Sequence, residues 1–270
     1  MSKIKIRDIN ELIQCGYFRN LVVKSIRNYN KNMLTKSNVI PESDMIPVIK
    51  YNLLDSLAIE ETNAYSTAEE FRSSYGIPDL MFYNFNEEII QTRINKKISP
   101  ILSKKILKTL IFLQGKQKVT LSYLEDSLPY NKDVIKNKIL KFLIKHDFIS
   151  KSLNSDTYFI DNEYQDGLES LYSVEAKIAH WKRGFYQAYR YKWFSHYSFL
   201  ALHEKHIQPA LKNIDLFKEH NIGLIEVSTE TNTTSLHFKP TYEASYSKEF
   251  SALTYERLFA SYCEKKADCQ

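Results

Sequence analysis

Cysteine, glycine and proline are all scarce in this 270-residue chain, and each shortage closes off a class of protein. The three cysteines, Cys15, Cys263 and Cys269, are too few and too scattered for a disulfide framework or a zinc site. With 6 glycines and 43% hydrophobic residues, the composition is that of an ordered protein with a packed core, not a disordered one. No apolar run approaches the roughly 20 residues of a membrane span. The basic start Met1-Ser-Lys-Ile-Lys-Ile-Arg has no apolar signal core behind it, so a cytoplasmic protein without membrane contact is expected. Also missing are a Gly-rich phosphate loop, a Gly-x-Ser-x-Gly elbow, internal repeats and low-complexity tracts. A net charge of +5 is only mildly basic, so any nucleic-acid surface must arise from local clustering.

The length allows one large domain or two smaller ones. Apolar periodicity predicts helices over 8–30 and 49–61, and Ile77 to Tyr83 reads as a strand entered through Gly76. Pro78 must then sit at the strand's start or on an edge, since it has no N–H for the ladder. Residues 97–162 differ in character. Helices are expected over 101–113, from Thr120 through Leu128, and over 132–145, the last with Asn131 as N-cap. Two strands, Phe148-Ile149 and Tyr158 to Ile160, flank a polar tip at 151–156. Three helices and a hairpin in about 65 residues resemble a winged helix–turn–helix. Beyond it the pattern predicts a strand at 171–178, a helix to Phe194, a strand at 198–202, a helix at 207–220, a strand at 222–227 and a hairpin into 235–239. A last helix is expected over 248–264.

The most informative stretch is Leu171-Tyr-Ser-Val-Glu-Ala-Lys-Ile178, where Tyr172, Val174, Ala176 and Ile178 alternate with Ser173, Glu175 and Lys177. Alternation puts Glu175 and Lys177 on one sheet face. A carboxylate beside an ammonium suits metal-assisted phosphodiester hydrolysis, the first as a Mg²⁺ ligand and the second as a cation near the attacking water. Pro78-Asp79 on the preceding strand offers a second carboxylate. Gln187 and Tyr191 are four apart on one face of the following helix.

Together these residues resemble the PD-(D/E)xK nuclease superfamily, with Gln187 and Tyr191 matching its Gln-x-x-x-Tyr element. The resemblance covers Phe71 to Tyr83 and Leu171 to about Val227, roughly a third of the chain. It implies an α/β restriction-endonuclease-like mixed sheet flanked by helices, with Mg²⁺ (or Mn²⁺) held by Asp79 and Glu175 and with Lys177 orienting water. It also implies a further glutamate on the helix before the first strand, for which Glu70 fits best and Glu69 second. Gln187 and Tyr191 would position the metal-site side chains or the DNA strand. Asp79 and Glu175 lie 96 residues apart, where the family usually has a short hairpin. The organisation expected is therefore a nuclease core over 1–96 and 166–270, interrupted by a winged-helix module at 97–165.

Basic residues cluster in two places. Lys182, Arg183 and Arg190 follow the Glu-x-Lys strand with no acid among them, beside Trp181, Phe185, Tyr189 and Trp193, whose spacing of four reads as helix packing. Lys132, Lys136 and Lys138 lead six lysines against two aspartates over 132–151, a surface that fits a DNA groove or a protein partner. His203 and His206 read as surface histidines. The expectation is a Mg²⁺-dependent deoxyribonuclease. The alternatives are a catalytically inactive DNA-binding regulator or scaffold of the same fold, and RNA as substrate. Oligomeric state is not legible.

Overall fold

The strand with the strongest alternation becomes the middle of the sheet. The computed structural model describes residues 41–59 and 65–267; the helix expected over 8–30 lies outside them. A 3-10 turn at Glu42–Asp44 enters α1 (Met45–Ser56), followed by β1 (Ser66–Glu69), β2 (Leu80–Phe85) and α2 (Glu87–Asn95). Next come α3 (Lys104–Leu113), β3 (Lys118–Thr120) and α4 (Leu121–Ser127). A π-helical stretch at Val134–Leu140 then runs into α5 (Lys141–Lys145), β4 (Ile149–Lys151) and β5 (Thr157–Ile160). The chain continues through β6 (Leu168–Lys177), α6 (Trp181–Tyr191), β7 (Tyr197–His203), α7 (Gln208–Leu211) and α8 (Ile214–Glu219). It ends with β8 (Gly223–Ser228), β9 (Thr233–Phe238) and α9 (Lys248–Ala267). None of the described helices is long and apolar enough to cross a membrane.

Six strands form a mixed α/β sheet in the order β1-β2-β6-β7-β8-β9. β2 pairs antiparallel with β6, and β6 and β7, joined through α6, pair in parallel, as do β7 and β8. β6 therefore lies between an antiparallel and a parallel neighbour. Its Tyr172, Val174 and Ala176 pack with Met45, Ile49 and Leu53 of α1 on one face. The opposite face, with Leu171, belongs to a larger cluster that takes in Tyr191, Phe259 and α3. β3, β5 and β4 form a separate antiparallel sheet, to which the sequence had assigned only two of the three strands. The helical residues 132–145 begin at Asn131, whose side chain accepts from the Val134 N–H at 2.9 Å, the N-cap its position predicts. Apolar side chains of the 97–165 segment, among them Leu107, Leu110, Ile135 and Leu140, share one cluster with Met81, Leu171 and Phe259.

The strand expected over 77–83 runs instead over Leu80–Phe85, leaving Asp79 just before it, and three further readings need correction. Ser66–Glu69 is a strand paired with β2, so Glu70 follows a strand rather than riding a helix. The Ala-Glu-Glu run has good helix propensity, but ladder pairing with Leu80 to Tyr83 overrides it. α2 was not foreseen; its signals are the Asn86 side chain accepting from the Ile89 N–H and two glutamates in the first turn. The helix expected over 207–220 is broken into α7 and α8 around Lys212 and Asn213.

The last turn of α2 carries a buried ion pair. Arg93, 7% exposed, meets the fully buried Glu256 of α9 through two bonds of 2.8 and 3.0 Å. Glu256 also accepts the Ile101 N–H, and Arg93 donates to the Ser99 carbonyl and lies 4.9 Å over the Phe259 ring. Removing one partner strands a buried charge and typically costs ~3–5 kcal/mol, against ~0–1 for an exposed pair such as Lys50–Glu69. Glu256→Ala should therefore lower stability by about 3 kcal/mol or more in urea titrations at pH 7, while Lys50→Ala stays within about 1 kcal/mol of the parent. Equal losses would remove the pair's structural role.

Candidate active site

Sheet pairing brings together residues that are far apart in sequence. Leu80 pairs with Val174, so Asp79, one residue before β2, arrives beside the end of β6. Its Oδ2 accepts the Ala176 N–H at 2.8 Å. The segment leading to it is pinned by α9: Arg257 donates to the carbonyls of Arg72 and Ser73, and the Ser74 hydroxyl donates to the Phe250 carbonyl. Gly76, at φ +147°, allows a close approach, since a Cβ there would meet the Tyr191 ring at 2.9 Å.

Glu175 and Lys177 are 1% and 8% exposed. A strand covered on both faces holds charges only if they compensate one another. Lys177 Nζ lies 2.7 Å from Glu175 Oε1, 2.7 Å from the Ala176 carbonyl, 3.2 Å from Glu42 Oε2 and 3.8 Å from Asp79 Oδ2. Four oxygens thus surround one ammonium. Gly184 of α6 makes room for the lysine stem, since a Cβ there would come within 3.0 Å of Lys177 Cγ and 2.4 Å of Leu200 Cδ1. Tyr191 at the end of α6 donates its hydroxyl to Glu175 Oε2 and lies 3.0 Å from the Ile77 carbonyl.

Burial pushes the Glu175 carboxyl up to about 6; Lys177 opposes the shift and Asp79 adds to it. Burial also raises Asp79, against the pull of Lys177. Lys177 shifts upward although burial alone would lower it, because Glu175, Asp79 and Glu42 together outweigh the burial. The two partners of the Glu175–Lys177 pair therefore differ in sense: the ammonium faces three acids, whereas the buried carboxylate faces one cation and a like charge.

Asp79, Glu175, Lys177 and Tyr191 meet in one place. Gln187, one turn before Tyr191, is half-buried, and its buried amide oxygen has no hydrogen-bond partner. Glu70 is exposed, at φ +46°, with its N–H on the Asp79 carbonyl and its charge helping to raise the Asp79 pKa. The third carboxylate at Lys177 is instead Glu42, which sequence reasoning missed; only its place just ahead of an apolar helix hinted at it. Lys182, Arg183 and Arg190 are exposed on α6, with Arg190 stacked 5.2 Å over Tyr75. Phe185 and Tyr189 are buried, as packing residues should be. Lys136 and Lys138 are exposed, and Lys132 pairs with Glu125 at 3.1 Å. His203, expected at the surface, is buried and near the Thr229 hydroxyl, because β7 extends to include it.

Three carboxylates and a carbonyl form an all-oxygen donor set of the kind hard divalent cations take. Among the described residues no group of three or more His, Cys, Asp or Glu side chains is gathered to hold a metal, since these acids converge on the ammonium. The donor chemistry fits Mg²⁺ or Mn²⁺ provided Lys177 gives way. No protein-family model, curated protein or solved structure matches the chain, so its chemistry rests on these residues.

The Tyr191 hydroxyl has one proton and two acceptors, Glu175 and the Ile77 carbonyl. One proton serves one acceptor at a time, and when it points at Glu175 it stabilises the ionised carboxylate. Because the folded-state pKa lies above the ordinary 4.5, this group's contribution to stability is present below about pH 4.5 and lost as pH rises through about 6. Tyr191 lowers the Glu175 pKa through its hydrogen bond, so Tyr191→Phe should move it above about 6 in metal-free protein, read by carboxyl ¹³C shifts. A Glu175 titration that stays in place would break the proposed link between the two.

Proposed function

We propose that the protein is a metal-dependent deoxyribonuclease of the PD-(D/E)xK type, with a restriction-endonuclease-like core and a winged helix–turn–helix over about 97–165. The observation that carries this reading is the convergence of Asp79, Glu175 and Lys177, separated in sequence but drawn together at the ends of β2 and β6. The mixed sheet, in which β6 follows an antiparallel neighbour and precedes a parallel one, also supports it. So does the grip of Tyr191 on Glu175.

Asp79 and Glu175 would hold Mg²⁺, with Glu42 the nearest further carboxylate. When bound, the metal supplies a lowered pKa for a coordinated water and charge neutralisation at the phosphate. Lys177 then contributes its ammonium to the charge that develops on the phosphate oxygens. Tyr191 fixes the orientation of Glu175, and Gln187 offers its unpartnered amide oxygen close by in sequence. Lys182, Arg183 and Arg190 hold the DNA backbone beside the site, and Lys132, Lys136 and Lys138 supply a second contact with duplex DNA.

A DNA-binding protein of the same architecture without catalysis is the second reading. It draws on the way Lys177 already neutralises the acids. One experiment separates the two: a Mg²⁺ titration of supercoiled-DNA nicking for parent, Glu175→Gln and Lys177→Ala, with folding checked by circular dichroism. Parent cleavage that depends on Mg²⁺, falls at least 100-fold in both variants and leaves DNA binding intact supports the nuclease. Parent-level cutting by either variant would falsify it, and metal-independent silence of the parent favours the binding protein.

A further inference from the structure

The small sheet leaves one face open, and what that face presents is unusual for a solvated surface. Lys118 pairs with Phe159 across β3 and β5, and Phe159 remains 45% exposed. Beside them a cleft of about 680 Å³ is lined by Lys116, Gln117, Lys118, Thr120, Tyr123 and Thr157, among other residues. Tyr123 is 44% exposed and stacks on Phe112 at 5.9 Å, and the Lys116 ammonium sits 4.8 Å over the Phe112 ring. No carboxylate lines the cleft, and neither Lys116 nor Lys118 has an ion-pair partner among the described residues. The Tyr123 ring, two ammoniums without a carboxylate partner among the described residues and three hydrogen-bonding side chains therefore line one cleft, with Phe159 beside it on the same sheet face.

We propose that this face binds single-stranded nucleic acid, with bases stacking on Tyr123 and Phe159 and phosphates held by Lys116 and Lys118. Rings accept any base through its π-face, while ammoniums neutralise the backbone. In a duplex the bases are already stacked on each other and offer no free face to the two rings. The cleft volume lies in the range of ordinary ligand sites and accommodates a nucleotide. Thr120, Thr157 and Gln117 supply donors and acceptors for base edges. The inference rests on reading the protein as one that works on DNA. It adds that an unpaired strand is the form this segment holds.

The test is fluorescence anisotropy with a labelled 20-nucleotide dT strand and a 20-base-pair duplex, in EDTA so that cleavage plays no part. Proteins are the full chain, Tyr123→Ser, Phe159→Ser and Lys118→Gln, each checked by thermal melting. Tyr123→Ser and Phe159→Ser should each weaken dT binding about tenfold while leaving duplex affinity within twofold. Lys118→Gln, at an exposed strand position, should weaken dT binding and reduce its salt slope by about one. Absent dT binding by the parent, unchanged dT affinity in all three face variants, or equal loss on strand and duplex each overturn the inference. If cleavage proves absent while the face variants lose dT binding selectively, the nuclease reading fails and this one stands.

Discussion

A strand buried on both faces cannot carry a carboxylate and an ammonium unless the surrounding elements compensate them, and β6 carries both. Glu175 and Lys177 are nearly sealed from solvent, where an isolated charge costs several kcal/mol. Each neighbouring element answers this requirement. The loop before β2 supplies Asp79, the turn before α1 supplies Glu42, and α6 supplies the Tyr191 hydroxyl. Gly184 lets α6 come close enough for the lysine stem to lie between helix and sheet. Compensation on this scale draws three separate parts of the chain to one strand end.

A buried ion pair alone does not mark a site, and the same protein shows why. Arg93 and Glu256 are equally sealed and better satisfied, with a bidentate contact, a main-chain N–H on the acid and carbonyls on the guanidinium. That arrangement has no spare capacity and no opening, so it fastens α2 to α9. At Lys177 the outer partners differ: the Glu42 side chain is 48% exposed and that of Asp79 31%. One cluster is closed on every side; the other is half-open, with partly exposed acids at its mouth. The contrast, rather than burial itself, singles out the Lys177 cluster as the candidate site.

Much of this was legible in the sequence. The alternation around Glu175 and Lys177 gave the strand and the shared face at once, since a period of two leaves little choice. The spacing of Gln187 and Tyr191 placed both on α6, and Asn131 announced the start of its helix. What stayed hidden lacked a local signal. Glu42 sits in a three-residue turn, and its nearness to Lys177 exists only in the folded chain. β1 is four residues of Ser, Thr, Ala and Glu, whose strand state comes from pairing with β2 and not from composition. Glu70 was misplaced for the same reason.

The distance along the chain between the two halves of the site governs when it comes into being. β2 ends at Phe85 and its partner β6 starts at Leu168, with about eighty residues between. Closing such a loop grows only slowly more costly with length, about 0.6 kcal/mol per doubling, and the intervening helices and hairpin shorten it by folding locally. Kinetically the effect is larger, because non-local pairing slows folding and synthesis proceeds from the N-terminus. On the ribosome, Asp79 waits without partners until roughly two-thirds of the chain has emerged and Tyr191 has followed Glu175. A chain broken off in translation before that point carries the first carboxylates and no site, so any reactivity belongs only to molecules that have been made past α6.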